Sequence, residues 1–365
     1  MLVAGATGFA GALAAHLLWR HPRFELAAIT GRSEVGRRLD DLYPRHRVPL
    51  AIEALDLSRI AAARPAAGPA TPSGVGSTTR PAAGPATPSA ALPGEPAHLD
   101  GAIVAYPHAA AAPTVAELYE RGLRVVDLSA DFRLSEQAVY EQWYGPHPRP
   151  ELLAAAAYGL TELHRAAIAA AAIVANPGCY PTASVLGLAP LARAGLIADV
   201  VIDAKQGISG AGRTFDETTH LSFSGENILP YKVACHRHTP EIEEQLALLG
   251  APGLAVQFQA HLVPLDQGEL ASCYVTTTRT LAPSELAELY AEAYADEPFV
   301  EVVERPPGTR DVCQTNHCRI FAAADPHTGK VVVLSAIDNL WKGTSSQAIQ
   351  NLNVMYGYPE TEGLA

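Results

Sequence analysis

The residue best suited to covalent chemistry is Cys179, in the segment Asn176-Pro-Gly-Cys-Tyr-Pro-Thr182. From Thr182 to Gly195 apolar residues recur at helical spacing, which predicts a helix after this turn. A thiol at a helix start lies at the positive end of the helix dipole, so we expect a lowered pKa and a nucleophilic thiolate. Single cysteines are more often buried structural residues, but the Pro and Gly flanks favour a reactive thiol.

Two histidines flank an arginine in His236-Arg-His238-Thr-Pro-Glu241. Thr239 can cap a helix over 240–248, with Pro240 at its first position. His238 would then lie beside a helix start, free for the proton transfer that histidine performs near neutral pH. The pattern favours an acid/base role over the usual structural or exposed histidine.

A glycine loop opens the chain, with Gly5, Gly8 and Gly11 in Gly-x-x-Gly-x-x-Gly spacing between a short strand and an amphipathic helix. Such a loop lets backbone N–H groups and a helix start approach a pyrophosphate. The predicted cofactor contacts here are Gly5, Thr7, Gly8, Phe9 and Gly11, and a purely structural turn is the weaker alternative.

The cofactor is predicted to be NADP rather than NAD. In NAD-binding folds a carboxylate follows the second strand and binds the ribose 2′-hydroxyl. Here Arg32 and Ser33 follow that strand, and they can bind a 2′-phosphate. Glu34 is the competing group, since a small shift of the loop would turn it toward the ribose.

Three further segments carry groups for anions or cofactor. Ser209, Gly210 and Arg213 form a second glycine-rich loop able to hold an anion. Arg133 follows a strand end, the usual position of ligand groups in a doubly wound sheet, and would clamp a carboxylate or phosphate. Asn339 lies in a polar turn before the last helix and is a candidate cofactor contact. The complete substrate-binding prediction is Arg133, Asn176, Gln206, Ser209, Arg213 and Glu241.

The bulk composition limits the possible partners. The 365-residue chain carries a net charge of −12, which argues against nucleic acid, anionic membranes and an acidic protein partner. No run of eighteen apolar residues occurs, the N-terminus has no basic leader, and five cysteines do not suggest a disulfide framework. The spacings of cysteine and histidine match no common zinc site, so no metal is predicted. A cytoplasmic protein is the expectation.

The predicted fold class is α/β, with a Rossmann dinucleotide-binding domain and an α+β catalytic and dimerisation domain that has a mixed sheet. The expected bounds are 1–178 for the first domain, 179–338 for the second, and 339–365 for a C-terminal helix that returns to the first. Residues 64–97 repeat Arg-Pro-Ala-Ala-Gly-Pro-Ala-Thr-Pro-Ser twice, which predicts a flexible insertion without a core.

Taken together, the motifs resemble those of the N-acetyl-gamma-glutamyl-phosphate reductases, NADP-dependent enzymes of arginine biosynthesis. The resemblance covers nearly the whole chain outside 64–97, and the cysteine and histidine motifs are its most specific parts. It rests on Gly5-Ala-Thr-Gly-Phe-Ala-Gly11, Asp127-Leu-Ser-Ala-Asp-Phe-Arg133, Tyr158-Gly-Leu-Thr-Glu162, Asn176-Pro-Gly-Cys-Tyr-Pro-Thr182, Ser209-Gly-Ala-Gly-Arg213, His236-Arg-His-Thr-Pro-Glu241 and Asp338-Asn-Leu-Trp-Lys-Gly343.

The resemblance implies that Cys179 attacks a small-molecule acyl phosphate to form a thioester, which NADPH then reduces. It further implies that the acid/base is His238, with His236 as the alternative, and that the protein is a homo-oligomer, a dimer or tetramer. Gln206 departs from the family pattern and is more similar to aspartate-semialdehyde dehydrogenase. That enzyme, a reductase of a carrier-bound aminoadipyl phosphate, and a non-catalytic NADP sensor remain open as alternatives.

Overall fold

A computed structural model of the chain describes residues 1–60, 98–214 and 216–364. The repeated segment 64–97 therefore lies outside the described residues. Within the described part, no helix combines the length and the apolar character that crossing a bilayer needs. Two seven-stranded sheets organise the molecule.

The first sheet is parallel throughout, with the strand order β3-β2-β1-β4-β5-β7-β6. Its central strands are buried on both faces, as expected for a parallel sheet covered by helices. The strands are β1 (Leu2–Ala4), β2 (Ala28–Thr30), β3 (Ile52–Glu53), β4 (Gly101–Val104), β5 (Arg124–Asp127), β6 (Ala156–Tyr158) and β7 (Ile173–Ala175). The helices along this part of the chain are α1 (Phe9–Arg20), α2 (Leu39–Leu42), α3 (Ala112–Glu120), α4 (Gln137–Tyr144) and α5 (Thr161–Ala170).

The second sheet is mixed, with the order β12-β13-β14-β11-β8-β10-β9. β10 alternates buried and more exposed residues, which indicates one buried face. The strands are β8 (Ile197–Gly207), β9 (Leu229–Tyr231), β10 (Val256–Val263), β11 (Glu269–Thr277), β12 (Val300–Val302), β13 (Cys318–Ala324) and β14 (Val331–Ile337). The helices are α6 (Cys179–Arg193), α7 (Leu221–Ser224), α8 (Thr239–Leu249), α9 (Pro283–Tyr294) and, after a π-helical turn over Trp341–Ser345, α10 (Ser346–Met355).

The central helix α6 connects the two sheets, because it follows β7 of the first sheet and packs on β11 and β14 of the second. It is buried from Tyr180 to Ala192. α10 packs instead against α1 and α5 of the first sheet's layer, where Ile349 and Leu352 join the core formed with Val3 and Ile29.

The predicted fold class is confirmed: one Rossmann-like parallel sheet stands beside one mixed sheet. Differences are local. The helix predicted from Thr182 begins three residues earlier, so that Cys179 is its first residue. Pro181 is compatible with this start, because its missing N–H belongs to the first turn, where no intrahelical acceptor exists.

Candidate functional site

The buried carboxylate of Glu241 stabilises the turn that precedes Cys179. One oxygen of Glu241 accepts hydrogen bonds from the Gly178 N–H at 2.9 Å and from the Tyr158 hydroxyl at 2.8 Å. The other oxygen lies 3.4 Å from a terminal nitrogen of Arg133. Glu241 is only 1% exposed. The structure therefore uses this predicted substrate-binding residue to fix the backbone that carries the thiol.

Arg133 and Asn176 are also engaged with the protein itself. The Arg133 guanidinium donates to the carbonyl oxygens of Asn176 at 2.8 Å and Leu128 at 2.9 Å. The Asn176 amide donates to the Thr344 carbonyl and accepts from Asn351. Both side chains lie beside the cysteine turn, and their polar groups form hydrogen bonds within the protein that stabilise it.

The Cys179 thiol is half-buried and donates a hydrogen bond to the Gln206 side-chain oxygen at 3.5 Å. Burial raises the pKa of Cys179 well above its ordinary value, and the neighbouring Glu269 carboxylate raises it further. The backbone N–H of Tyr180, at the helix start, acts in the opposite direction but is outweighed. The expectation of a lowered thiol pKa is wrong for this structure, because desolvation and a like charge exceed the helix-end effect.

His238 lies against the cysteine turn. A Cβ placed on Gly178 would lie 2.7 Å from His238 Nε2, so glycine at position 178 is what lets the imidazole approach the turn this closely. Burial lowers the pKa of His238 well below its ordinary value, and His236 and Arg133 lower it further, so the ring is neutral at pH 7. His238 Nδ1 is buried and makes no hydrogen bond within the described residues.

His236 occupies a different environment. Its ring packs edge-to-face against Tyr180, Tyr231 and Phe258, and its Nδ1 accepts the backbone N–H of His238. Burial, followed by the charges of Lys232 and Arg237, lowers the pKa of His236 to about 3. The contact of the His236 Nδ1 with the His238 backbone helps to position His238.

The glycine loop has the close backbone approach that a dinucleotide site requires. Gly5 has a φ of +95°, and a Cβ there would lie 2.6 Å from the Ala105 carbonyl oxygen. A Cβ on Gly11 would lie 2.2 Å from the Gly5 carbonyl oxygen, so only glycine allows α1 to pack against this turn. Gly8 is the residue that caps α1. The loop therefore fits a pyrophosphate on the helix start.

The groups predicted to select NADP lie at the surface. Arg32 and Ser33 are exposed, and the Arg32 guanidinium stacks over the Tyr106 ring at 4.9 Å. Glu34 pairs with Arg37 at 2.7 Å and with Arg213 at 3.1 Å, and these two partners lower the pKa of Glu34. The Glu34 carboxylate, which could bind the ribose instead, is therefore already paired with two arginines.

Arg213 lies beside the nucleotide loop, since it also donates to the Thr7 carbonyl oxygen at 3.3 Å. Between this loop and the turn Ile208–Ala211 is a cavity of about 550 Å³. Phe9, Ser209 and Arg213 line it. The structure thus brings these three residues together on the cofactor side.

Asn339 and Gly210 contact the residues that link the cavity to the thiol. Asn339 accepts from the Gly268 N–H at 2.8 Å and donates to the Ser209 hydroxyl at 3.1 Å. A Cβ on Gly210 would overlap the Gln206 amide nitrogen, at 1.2 Å. Gly210 therefore leaves room for the side chain that contacts Cys179.

One residue beside the thiol was not identified from the sequence. This residue is Glu269, the first residue of β11, which is fully buried. It begins a largely apolar strand, and nothing in its local pattern distinguishes it from any other carboxylate at a strand end. The only signal available in the sequence is its position one residue after Gly268.

Comparisons with known proteins agree with this architecture. Residues 53–171 match the family described as semialdehyde dehydrogenase, NAD binding domain, and residues 179–339 match semialdehyde dehydrogenase, dimerisation domain. N-acetyl-gamma-glutamyl-phosphate reductase of Desulforudis audaxviator is 45% identical, and that of Moorella thermoacetica is 42% identical. Each alignment covers 99% of this chain and 96% of the relative.

Solved structures share the fold at low sequence identity. Aspartate semialdehyde dehydrogenase II of Vibrio cholerae, complexed with ASA, has a TM-score of 0.67 at 15% identity, over 97% of both chains. Aspartate semialdehyde dehydrogenase of Candida albicans with NADP has a TM-score of 0.63 at 15% identity, over 97% of both chains. These two likenesses concern the arrangement of the two sheets.

Proposed function

Since this chain belongs to the N-acetyl-gamma-glutamyl-phosphate reductase family, we propose that it uses NADPH to reduce N-acetyl-gamma-glutamyl phosphate to N-acetylglutamate semialdehyde and phosphate. The observation that carries this proposal is the placement of Cys179 as the first residue of α6, beside the neutral His238. A nucleophile and a proton carrier therefore meet at one turn.

The steps follow from these groups. The Cys179 thiolate attacks the acyl carbon, and phosphate leaves to give a thioester. The first N–H groups of α6, which have no acceptor within the helix, stabilise the developing oxyanion. When bound, NADPH supplies the hydride that reduces the thioester. Release of the aldehyde regenerates the Cys179 thiolate, while His238 passes the proton that the departing phosphate takes up.

The remaining roles are assigned by position. We propose cofactor contacts from Gly5, Thr7, Gly8, Phe9, Gly11, Arg32, Ser33, Gly210 and Asn339, and assign Arg213 to the cofactor side because of its place beside Thr7. Glu241, Arg133 and Asn176 act on the substrate through the turn that they hold. Gln206 and Ser209 lie between thiol and cavity, within reach of a substrate that spans the two.

We further propose the domain bounds 1–178 and 179–338, with 339–365 returning to the first sheet's layer. The match of residues 179–339 to a dimerisation domain supports a homo-oligomer, a dimer or tetramer. A biosynthetic role for a small acyl phosphate supports a cytoplasmic location and needs no nucleic acid or membrane partner.

A reverse assay tests the activity: N-acetylglutamate semialdehyde, phosphate and NADP, with NADPH formation measured by absorbance. Aspartate semialdehyde, assayed in parallel, distinguishes the closest alternative. Cys179→Ser should lose more than 1,000-fold in rate, roughly the effect of removing a covalent nucleophile, because a hydroxyl is a far weaker nucleophile. Cys235→Ser, which removes an exposed cysteine, is the matched control and should retain wild-type activity. A fully active Cys179→Ser enzyme would contradict the thioester mechanism.

A further inference from the structure

A second ionisable group faces the thiol from the sheet below it. Glu269 and Gln206 are direct cross-strand partners in the antiparallel pair β11–β8, so their side chains project from the same face of the sheet. Gln206 accepts the thiol hydrogen bond on that face. The Glu269 carboxylate lies beside the same thiol and acts directly on its ionisation.

The surroundings of Glu269 leave its carboxylate without a cation to compensate its charge. The residue is 0% exposed, and the hydrogen-bonding group that acts on it within the described residues is the Cys179 thiol. The Asp338 carboxylate repels it. Arg133, a cation that acts on the thiol, pairs with Glu241. The titratable groups that sense Glu269 are Cys179, Tyr180, Tyr231, Cys318 and Asp338.

A buried carboxylate without a compensating cation destabilises a fold, so its position beside a nucleophile points to a chemical use. We propose that Glu269 is a catalytic residue that accepts the proton of the Cys179 thiol when the thiol attacks, and returns it when the aldehyde is released. This inference rests on the proposed function, whose nucleophile otherwise has no base placed on the sheet side.

The proton balance of the cycle is complete. The Cys179 S–H bond breaks and the proton passes to the Glu269 carboxylate, while the sulfur forms a bond to the acyl carbon and the carbon–phosphate oxygen bond breaks. Hydride transfer reduces the thioester, the carbon–sulfur bond breaks, and the sulfur recovers its proton from Glu269. The proton consumed by phosphate comes by way of His238, so the two groups serve different steps.

The burial of Glu269 and the charge of Asp338 raise the pKa of its carboxyl group to about 8. Because the thiol and the carboxyl group interact, they titrate as a pair, and the first ionisation of this pair creates the reactive form. The rate of Cys179 alkylation by iodoacetamide, measured without substrate, should therefore rise with pH through about 8. In Glu269→Gln this rise should vanish and alkylation should increase only at higher pH, with the thiol's own ionisation, because burial still raises the pKa of Cys179.

Turnover should respond in parallel. At pH 8, kcat in the reductive direction should fall by about 100-fold or more in Glu269→Gln, the range for loss of a general base, with KM little changed. Glu269→Asp should keep the alkylation step near pH 8, because it retains the carboxyl group. Glu269→Met, apolar and of similar length, serves as a second test if the glutamine variant does not fold.

An alkylation step near pH 8 that persists in either carboxyl-free variant would overturn the proposal. So would loss of turnover without any change in the pH profile, which is the signature of a purely structural role. A wild-type protein that alkylates as described but reduces no acyl phosphate would contradict the proposed function and leave the role of Glu269 supported, so the two failures are distinguishable.

Discussion

Two fully buried glutamates, Glu162 and Glu269, lie in different parts of the molecule, and only the first has a cation that compensates its charge. Glu162, on α5, accepts from the Lys342 ammonium at 2.5 Å and from Gln350 at 3.0 Å, with Lys342 equally buried. Glu269, on β11, has no cationic partner within the described residues, and the Cys179 thiol is the hydrogen-bonding group that acts on it. Burial raises the pKa of both carboxyl groups, but Lys342 reverses the effect and holds the pKa of Glu162 below its ordinary value.

The difference separates structural from chemical use of a buried charge. The Glu162–Lys342 pair joins α5 to the π-helical turn before α10, and the ammonium donates to both Glu162 and Gln350 there. A compensated pair of this kind fixes the relative position of two elements. The uncompensated Glu269 fixes nothing, and it lies beside the one cysteine that begins a helix, where a titrating group is useful.

Removing the cation from the compensated pair should have the largest effect on stability. Lys342→Met leaves the Glu162 charge buried without its partner, so we expect the free energy of unfolding to fall by about 3–5 kcal/mol. Urea denaturation followed by circular dichroism measures this loss.

The double variant Glu162→Gln with Lys342→Met is the matched control. It removes both charges, so it should recover most of the lost stability. If the single and double variants were equally destabilised, packing of the lysine stem and not charge compensation would be the role of Lys342.

Because the buried Glu269 carboxylate has no compensating cation, it should make the free energy of unfolding depend on pH. Its folded pKa, about 8, exceeds the unfolded value of 4.5, so the folded state binds the extra proton between these values. The contribution of Glu269 is therefore most favourable below pH 4.5 and declines as pH rises, by up to about 1.4 kcal/mol per pH unit, until pH passes about 8.

Glu269→Gln cannot ionise, so its free energy of unfolding relative to wild type should increase steadily from pH 5 to pH 8. Urea titrations at each pH give the difference directly, and Glu162→Gln provides the contrast. Since the folded pKa of Glu162 is depressed below 4.5, the stability that its carboxylate contributes is fully present above pH 4.5 and is lost only as pH falls below that value. The relative stability of Glu162→Gln should therefore stay constant from pH 5 to pH 8. Parallel pH profiles for the two variants would remove the distinction drawn between these sites.

The comparison of Glu162 and Glu269 also shows which features of the structure local sequence patterns can predict. Glycine spacing, the cysteine turn and the cap predicted at Thr239 are local features, and each predicted an element that the structure contains. The last of these helices, α8, begins one residue early, at Thr239, so His238 and not Thr239 occupies its cap position, without a side-chain cap hydrogen bond. The environment of Glu269 depends on the register that pairs it with Gln206 on β8 and brings α6 above both. Such distant pairings leave no local pattern. The thiol pKa was mispredicted for the same reason, because burial and Glu269 were not visible along the chain.

A third carboxylate, Glu34, extends the comparison to the surface and leads to the smallest expected effect. It is paired with Arg37 and Arg213, whereas Arg32, shortly after β2, stacks on the Tyr106 ring and is not paired with it. We expect Arg32→Ala to reduce the preference for NADPH over NADH by about tenfold, a modest effect because the contact with a 2′-phosphate is exposed to solvent. Steady-state kcat/KM with both cofactors measures it. Arg37→Ala, which removes an equal charge five residues further on and leaves Glu34 with Arg213 as its remaining partner, is the control. If Arg32→Ala left the preference unchanged while Arg37→Ala shifted it toward NADH, selection would lie in the restraint of Glu34 and not in Arg32.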